Sequence, residues 1–313
     1  MPRPGRRLPL PAQRAATLLT LCCALLVSAG CSSGTAGPDR REPEVTGIPS
    51  VLASTKLRMP LERYLPSRQE LRETDRARVV LIDRCMERFG FDYTIPPPQR
   101  EYGPRSLTER RYGISEAKLA AEDGYGLGDR DPSRQPPPAR PKIEPAAESV
   151  LFGKGRSTVR GQRIPEGGCA GAAEREFTAP SSASASSPLD LPQKLSMESF
   201  NRSQLDSRVK KASRAWSACM KERGYDYPDP LSPMADPQLR GDGNAEAVAT
   251  ATADIRCKKR TNLIGIWFTV ESAYQRQLIR KNSGALQIVR RANGERLRMA
   301  RAVTTGVSRA GPR

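Results

Sequence analysis

The 313-residue sequence contains no histidine. That absence removes Ser-His-Asp and Cys-His nucleophilic catalysis, histidine-ligated zinc and haem with a histidine axial ligand. Aromatic residues are scarce at 5%, and hydrophobic residues reach only 37%, beside 28 prolines. A chain this poor in apolar side chains cannot bury its whole length. The composition predicts islands of helix joined by long polar linkers. No Cys-x-x-Cys pair occurs, which argues against a four-thiolate zinc site. No cofactor signature is present, and neither a metal site nor a catalytic residue is assigned.

What the sequence does have is positive charge. The formal net charge is +18, mostly from arginine. The first thirty residues carry Arg3, Arg6, Arg7 and Arg14 and no acid, so the remainder keeps +14. Such a surplus attracts polyanions. The arginine bias is equally what a GC-rich genome writes onto a solvated surface.

The N-terminus reads as an export signal. A basic n-region, Met1 to Arg14, precedes an apolar h-region, Ala15 to Val27, too short to span a membrane. Val27-Ser28-Ala29-Gly30-Cys31 follows, and small residues before a cysteine at this place resemble the lipobox of bacterial lipoproteins. The resemblance implies that Cys31 is diacylated with palmitate-type chains and becomes the mature N-terminus. Two acyl chains suffice for stable attachment. The protein is then expected on the outer face of the cell membrane, or secreted if Cys31 is not lipidated. Arg6-Arg7 leaves a twin-arginine export route open beside the general one. Residues 1–30 are thus read as signal peptide and 31–56 as a flexible tether rich in Gly, Pro, Ser and charge.

Two stretches echo each other. Cys85-Met86-Glu87-Arg88-Phe89-Gly90-Phe91-Asp92-Tyr93 and Cys219-Met220-Lys221-Glu222-Arg223-Gly224-Tyr225-Asp226-Tyr227 share Cys-Met, a glycine, an aromatic, Asp and Tyr at the same offsets. Leu71 and Leu205 correspond at that offset too, which supports a diverged internal repeat. The first helix should start behind a capping box, Ser67 to Glu70, and stop at Gly90. Its apolar face is Leu71, Val79, Ile82, Cys85, Met86 and Phe89. The second should run from about Ser196 to Arg223 with a seam of Leu205, Val209, Ala212, Trp216 and Cys219. A third starts near Asn244, carries Ile255, Leu263, Trp267, Val270, Tyr274 and Leu278, and continues to about Val303. Unbroken, it would exceed its partner helix, so its far half must be exposed, paired or resting on a surface. Between the helices, Ile114 to Glu122 reads as a short helix. Val150 to Gly153 and Thr158 to Arg160 read as weak strands of a hairpin, and Ala170 to Phe177 as helix. The expected organisation is a helical, cysteine-containing region with an irregular insert (57–178), a Ser/Ala linker (179–195), a disulfide-linked helical hairpin with a long C-terminal helix (196–303) and a disordered tail (304–313). The fold class is mainly α.

Cys85, Cys169, Cys219 and Cys257 remain after the signal and Cys31. An even number in an exported chain implies disulfides, and four cysteines allow three pairings. The repeat favours the local one, Cys85–Cys169 with Cys219–Cys257.

Motifs for chemistry are thin. Ser115-x-x-Lys118 and Ser207-x-x-Lys210 match the nucleophile motif of penicillin-binding proteins, but no Lys-Thr-Gly or Lys-Ser-Gly strand accompanies them. They read as solvated helical Ser/Lys pairs. Asp129 to Ser133 opens like a calcium loop, yet Arg134 stands where glycine is needed. Asp92 and Asp226 could form a carboxylate site. The plainer reading is that each supports the turn after its helix. Toward the C-terminus, Arg276, Arg280, Lys281, Arg290, Arg291, Arg296, Arg298 and Arg301 face a single acid, Glu295. That cluster suits anionic lipid headgroups or a phosphate-bearing wall polymer. Nucleic acid is disfavoured by export.

The Cys-Met…Gly-Tyr-Asp-Tyr motif, followed by Ala253-Asp254-Ile255-Arg256-Cys257-Lys258-Lys259-Arg260-Thr261-Asn262-Leu263 and Val270-Glu271-Ser272-Ala273-Tyr274-Gln275, resembles uncharacterised lipoproteins of filamentous, Streptomyces-like actinobacteria. That resemblance implies location and no chemistry. The expected role is a binding or scaffolding component of the envelope, with self-association or a protein partner available through the C-terminal helix. The rival expectations are an envelope enzyme built on Asp92 or Asp226, or an accessory or sensor subunit of a membrane complex.

Overall fold

The structure is a computed structural model, and it describes residues 41–93, 102–135, 143–178, 189–240 and 244–306. The chain divides into two units, Met1–Arg41 and Glu42–Arg313. Every element below belongs to the second. The signal segment, Cys31 and residues 32–40 of the tether lie outside the described residues.

The fold is mainly α. It contains α1 (Arg68–Arg88), α2 (Ala117–Asp123), α3 (Pro145–Phe152), α4 (Gly168–Thr178), α5 (Leu191–Leu205), α6 (Ser207–Lys221), the short α7 (Ser232–Ala235), α8 (Ala245–Thr261), α9 (Leu263–Lys281) and α10 (Ser283–Thr304). Among the described residues the sheet content is one two-stranded hairpin, β1 (Thr158–Val159) and β2 (Gln162–Arg163).

Local chemistry explains the helix ends. The Ser67 hydroxyl accepts from the Glu70 amide at 3.2 Å, and the Ser67 amide donates to the Glu70 carboxylate at 2.7 Å, closing the expected capping box. The two echoing stretches end their helices identically. Phe91 N donates to Met86 O (3.1 Å) and Gly90 N to Glu87 O (2.8 Å); Tyr225 N donates to Met220 O (3.0 Å) and Gly224 N to Lys221 O (3.0 Å). Each is a Schellman stop with glycine at positive φ, +75° for Gly90 and +88° for Gly224. The repeat is therefore one cap used twice. In each, the cysteine just inside the cap carries a disulfide, Cys85–Cys169 and Cys219–Cys257, with Cα atoms 5.6 Å apart in both.

Two cores grow around these bridges. The larger joins Trp216, Cys219 and Met220 of α6, Cys257 of α8, and Leu263, Ile264, Trp267 and Val270 of α9. The smaller joins Ile82, Cys85, Met86 and Phe89 with Val150, Leu151, Val159 and Cys169. Helix α10 connects them. It packs along α1 through Met299 and Ala300 against Ala77 and Phe177, while Leu286 meets Leu61, Tyr64, Leu195 and Leu278.

Several expectations require correction. The third helix is not continuous: Asn262, at φ 49° and ψ 34°, separates α8 from α9, and Asn282 separates α9 from α10. Asparagine tolerates the left-handed conformation better than other side-chain-bearing residues. The far half is accordingly paired with α1 within the chain. The second helix breaks at Asp206, which leaves helical geometry (ψ 138°) to cap α6 at Arg208 N. Leu205 and Leu71 do not join a seam; they are 70% and 49% exposed. Val150-Leu151-Phe152 is helix, not strand, because Pro145 starts a turn of α3 that Gly153 ends. The hairpin is instead Thr158–Val159 against Gln162–Arg163, turned by Arg160 and Gly161 at positive φ.

Residues 42–56, read as the end of a tether, pack on the fold together with Leu57. Val45, Val51, Leu52 and Leu57 join the larger core, and Ser54 is fully buried against Ser115 and Glu109. This strap is gripped at the α8–α9 corner. Asn262 accepts from Val51 N (3.2 Å) and donates to Pro49 O (3.0 Å). It crosses so close that a Cβ on Gly265 would lie 2.1 Å from Pro49 O.

Two outcomes are expected. In the chain-entropy account each bridge contributes about 4 kcal/mol. Urea unfolding of Cys219→Ser/Cys257→Ser should show a loss of that order. Gly224→Ala has open space around the new Cβ, so it should lose only the left-handed strain, about 1–2 kcal/mol.

Candidate functional site

The side chains most unlike a solvated helix surface are buried charges. Glu271, on α9, is fully buried. Its carboxylate accepts from Arg111 Nε (2.8 and 2.9 Å), the Tyr112 hydroxyl (2.9 Å), the Ser199 hydroxyl (3.2 Å) and Gln275 Nε2 (3.2 Å). Gln275 passes the connection on: its Oε1 accepts from Leu61 N at 3.0 Å. Burial, then the Glu271 charge, pushes the Tyr112 hydroxyl well above its usual range, so it remains a donor. Arg111 also lies over the Phe200 ring at 5.0 Å.

A second buried pair sits on α8. Lys258 Nζ donates to Asp254 at 2.9 Å and to Ile114 O at 3.0 Å, while Trp216 Nε1 donates to the other Asp254 oxygen at 2.7 Å. Burial pushes the Asp254 carboxyl up and the Lys258 ammonium down, and each partner pulls the other back. Glu109 clamps the 102–130 loop through Arg130 (2.9 and 3.0 Å) and Arg105 (3.1 Å). Burial alone would raise its carboxyl, but Arg130 and the Arg105 amide outweigh it, and the group sits below its usual value. Asp206 behaves alike: burial opposes, and Arg208 with the Tyr274 hydroxyl holds it low. These carboxylates are saturated with donors and closed to solvent, which suits holding the fold together.

The residues expected to carry chemistry lie elsewhere. Asp92 and Asp226 are exposed. The turn they were expected to support is held instead by backbone bonds and by the Ser217 hydroxyl donating to Tyr227 O (2.6 Å). Ser115 is buried against Ser54, whereas Lys118 points out toward Glu122. Ser207 is bound by Glu42 through both its amide (2.6 Å) and hydroxyl (2.7 Å). Ser115 is therefore not half of a solvated pair, whereas Ser207 and Lys210 are both exposed, as expected. Asp131 caps Ser133 N at 2.9 Å. Among the described residues no group of three or more Cys, Asp or Glu side chains is arranged to hold a metal ion.

The basic C-terminal set divides. Arg301 pairs with Glu73 on α1 at 2.8 Å, and Arg296 donates to Phe177 O at 3.4 Å. Arg276, Arg280, Arg290, Arg291 and Arg298 are exposed, with no carboxylate partner among the described residues. Arg290 and Arg296 line a cleft of about 400 Å³ between α1 and α10, joined there by Arg63 and Arg78. Arg78 is occupied by Asp75 (2.6 Å) and Glu174 (3.2 Å). Glu70, also in the wall, is engaged by the Ser67 cap. Arg63 and Arg290 are left to face the cleft. Its floor is fixed by Asn293, which donates to Tyr64 O at 3.1 Å. Arg63 belongs to the 3-10 turn Pro60–Tyr64, the same turn held by Gln275. The buried network thus reaches the cleft through Gln275, Leu61 and Tyr64.

Sequence reading missed Arg63, because it lies over 200 residues from Arg290. It assigned Glu271 no role beyond its place in the Val270–Gln275 run. The signal was available: Glu271 follows Val270 and precedes Ala273 and Tyr274 in an otherwise buried stripe. Comparison of the chain with protein-family models, curated proteins and solved structures returns no match. No helix among the described residues is long and apolar enough to cross a membrane.

Two measurements check the buried charges. Lys258→Met should cost about 3–5 kcal/mol by stranding Asp254, and Asp254→Leu/Lys258→Met should recover most of it. Both lowered carboxylates stabilise the fold fully above their unfolded pKa values, near 4, and lose that contribution as pH falls through the lower folded values. Urea midpoints should therefore drop below about pH 4, and Glu109→Gln should flatten that drop.

Proposed function

We propose that the protein is a lipid-anchored binding component on the outer face of the cell membrane, and that its α1–α10 cleft holds phosphate-bearing groups of an envelope polymer. The observation that carries the reading is the pair Arg63 and Arg290, exposed and without carboxylate partners at one cleft. An unpaired guanidinium presents several donors in a planar fork that fits phosphate. Arg276, Arg280, Arg291 and Arg298 extend the attraction beyond the cleft.

Export supports the same reading. The two disulfides require an oxidising compartment. The lipobox-like run before Cys31 provides attachment, and two acyl chains hold a protein without a spanning helix. Absence of histidine leaves binding by fixed charge as the chemistry best represented on the surface.

The anchor is tested by mass spectrometry of the N-terminal peptide from membrane fractions. Cys31 should carry a diacylglyceryl group, and Cys31→Ala should release the protein from the membrane; an unmodified Cys31 contradicts the anchor. The cleft is tested with soluble polyphosphate, followed by calorimetry. Arg63→Gln/Arg290→Gln should weaken binding by roughly tenfold or more, since a charge-assisted hydrogen bond contributes about 1.5–3 kcal/mol. Equal affinity for wild type and variant rejects the cleft.

A further inference from the structure

Helix α6 carries Arg208, Lys210, Lys211, Arg214 and Lys221 and no acid. Its inner face is committed to the core through Val209, Ala212, Trp216 and Cys219. Lys210, Lys211, Arg214 and Lys221 project from the outer face and are exposed, with no carboxylate partner among the described residues. Arg208 is the exception and is paired with Asp206 at 2.7 Å.

Two independent features sit at the N-terminal end of this helix. Leu205, at the α5–α6 corner, is 70% exposed, the most exposed large apolar side chain among the described residues. Glu42, where the packed strap begins, binds Ser207 at the first turn of α6. The chain therefore leaves the fold at this same corner. From Cys31 to Glu42 there are 11 residue steps, which cover about 40 Å at most. Helix α6 is 15 residues long, or about 22 Å. A lipid on Cys31 would therefore hold Glu42, and with it the first turn of α6, no more than about 40 Å from the headgroups.

The helix also has a fitted notch. Lys210, Ser213 and Arg214 line a hollow of about 240 Å³, closed by Gln204 and the 228–230 turn. Asp229 is there too, but its carboxylate is spent on Leu231 N (2.9 Å), Ser232 N (3.1 Å) and the Ser232 hydroxyl. The notch therefore presents two cations and a hydroxyl donor against one carboxylate, a net positive charge with donors that a headgroup phosphate can meet.

We infer that α6 is the membrane-facing surface of the protein: its outer cations and the Lys210–Arg214 notch contact anionic phospholipid headgroups, and Leu205 enters the interface between headgroups and acyl chains. The inference deepens the anchored reading and rests on it for orientation, since it names which face the leash draws down. Headgroup contact through α6 is separate from polymer contact at the α1–α10 cleft. Cations beside an anionic leaflet each add attraction, and an apolar side chain at the rim adds depth of insertion.

The test uses exported protein carrying Cys31→Ala, so that no acyl chain contributes, with vesicles of phosphatidylglycerol and phosphatidylcholine at low salt. Lys210→Gln/Lys211→Gln/Arg214→Gln should weaken cosedimentation by roughly 100-fold, about fivefold for each cation lost near the surface. Arg63→Gln/Arg290→Gln, outside α6, should weaken it much less than the triple variant. Trp216 and Trp267 are buried, so a Leu205→Trp variant reports its own environment. Its emission should shift to the blue and become protected from acrylamide when vesicles are added. Vesicle binding that survives the triple α6 variant, vesicle binding lost only in the cleft variant, or an unshifted tryptophan at 205 each overturns the inference. None of these outcomes bears on polyphosphate binding by the cleft or on the mass of the Cys31 peptide, so the two proposals fail separately.

Discussion

The buried carboxylate of Glu271 fixes the position of four parts of this fold at once. It takes donors from Arg111 and Tyr112 in the 102–116 loop, from Ser199 on α5 and from Gln275 one turn along its own helix. Gln275 in turn holds Leu61 and with it the 3-10 turn that carries Arg63. Desolvating a carboxylate and a guanidinium costs several kcal/mol per ion, which only good geometry and full hydrogen bonding offset. Here both conditions hold, and Arg111 has further acceptors at the Ser196 carbonyl and hydroxyl. Once those groups are committed, a misplaced loop or helix would strand a charge without solvent. The network therefore selects one arrangement of segments that the sparse apolar content alone leaves weakly specified.

The disulfides act at a different level. Each ties a capped helix end to a neighbouring helix, one inside each core. Helix α10 joins the cores by packing on α1 and α4 on one side and near α5 and α9 on the other. The cleft that holds Arg63 and Arg290 lies where this junction meets the turn secured through Gln275. Its two unpaired guanidiniums are thus set by backbone held in place from both ends, with Asn293 bonded to Tyr64 from the α10 side. What is held is the backbone that carries these two exposed side chains.

What could be read from the sequence was local. The Ser67–Glu70 box and the glycines that stop α1 and α6 depend on short spacings, and the pairing of the four cysteines, 84 and 38 residues apart, was carried by the repeat. The helix breaks at Asp206, Asn262 and Asn282 were not legible from apolar periodicity, which runs through them. Each is a side chain that finds a better use as a cap or as a grip on a distant strand: Asp206 on Arg208, Asn262 on Pro49 and Val51, Asn282 on Leu278. The strap shows the same limit. Residues 42–56 look like linker by composition, but Gly265 leaves room for their backbone and Asn262 satisfies it. For the candidate site, the basic C-terminal set was visible as a charge run, while its division into paired and unpaired members was not. That division depends on Glu73 and Phe177, which sequence order places far from α10.

The central claim is that Glu271 couples the 102–116 loop, the Pro60–Tyr64 turn and α5 into one unit. Hydrogen exchange of Glu271→Gln, read by mass spectrometry against the wild type, tests it most directly. Amides of all three segments should lose protection together, while those of α3 and α4 around Cys169 keep theirs. Loss confined to α9, or an equal loss spread over the whole chain, would contradict the account.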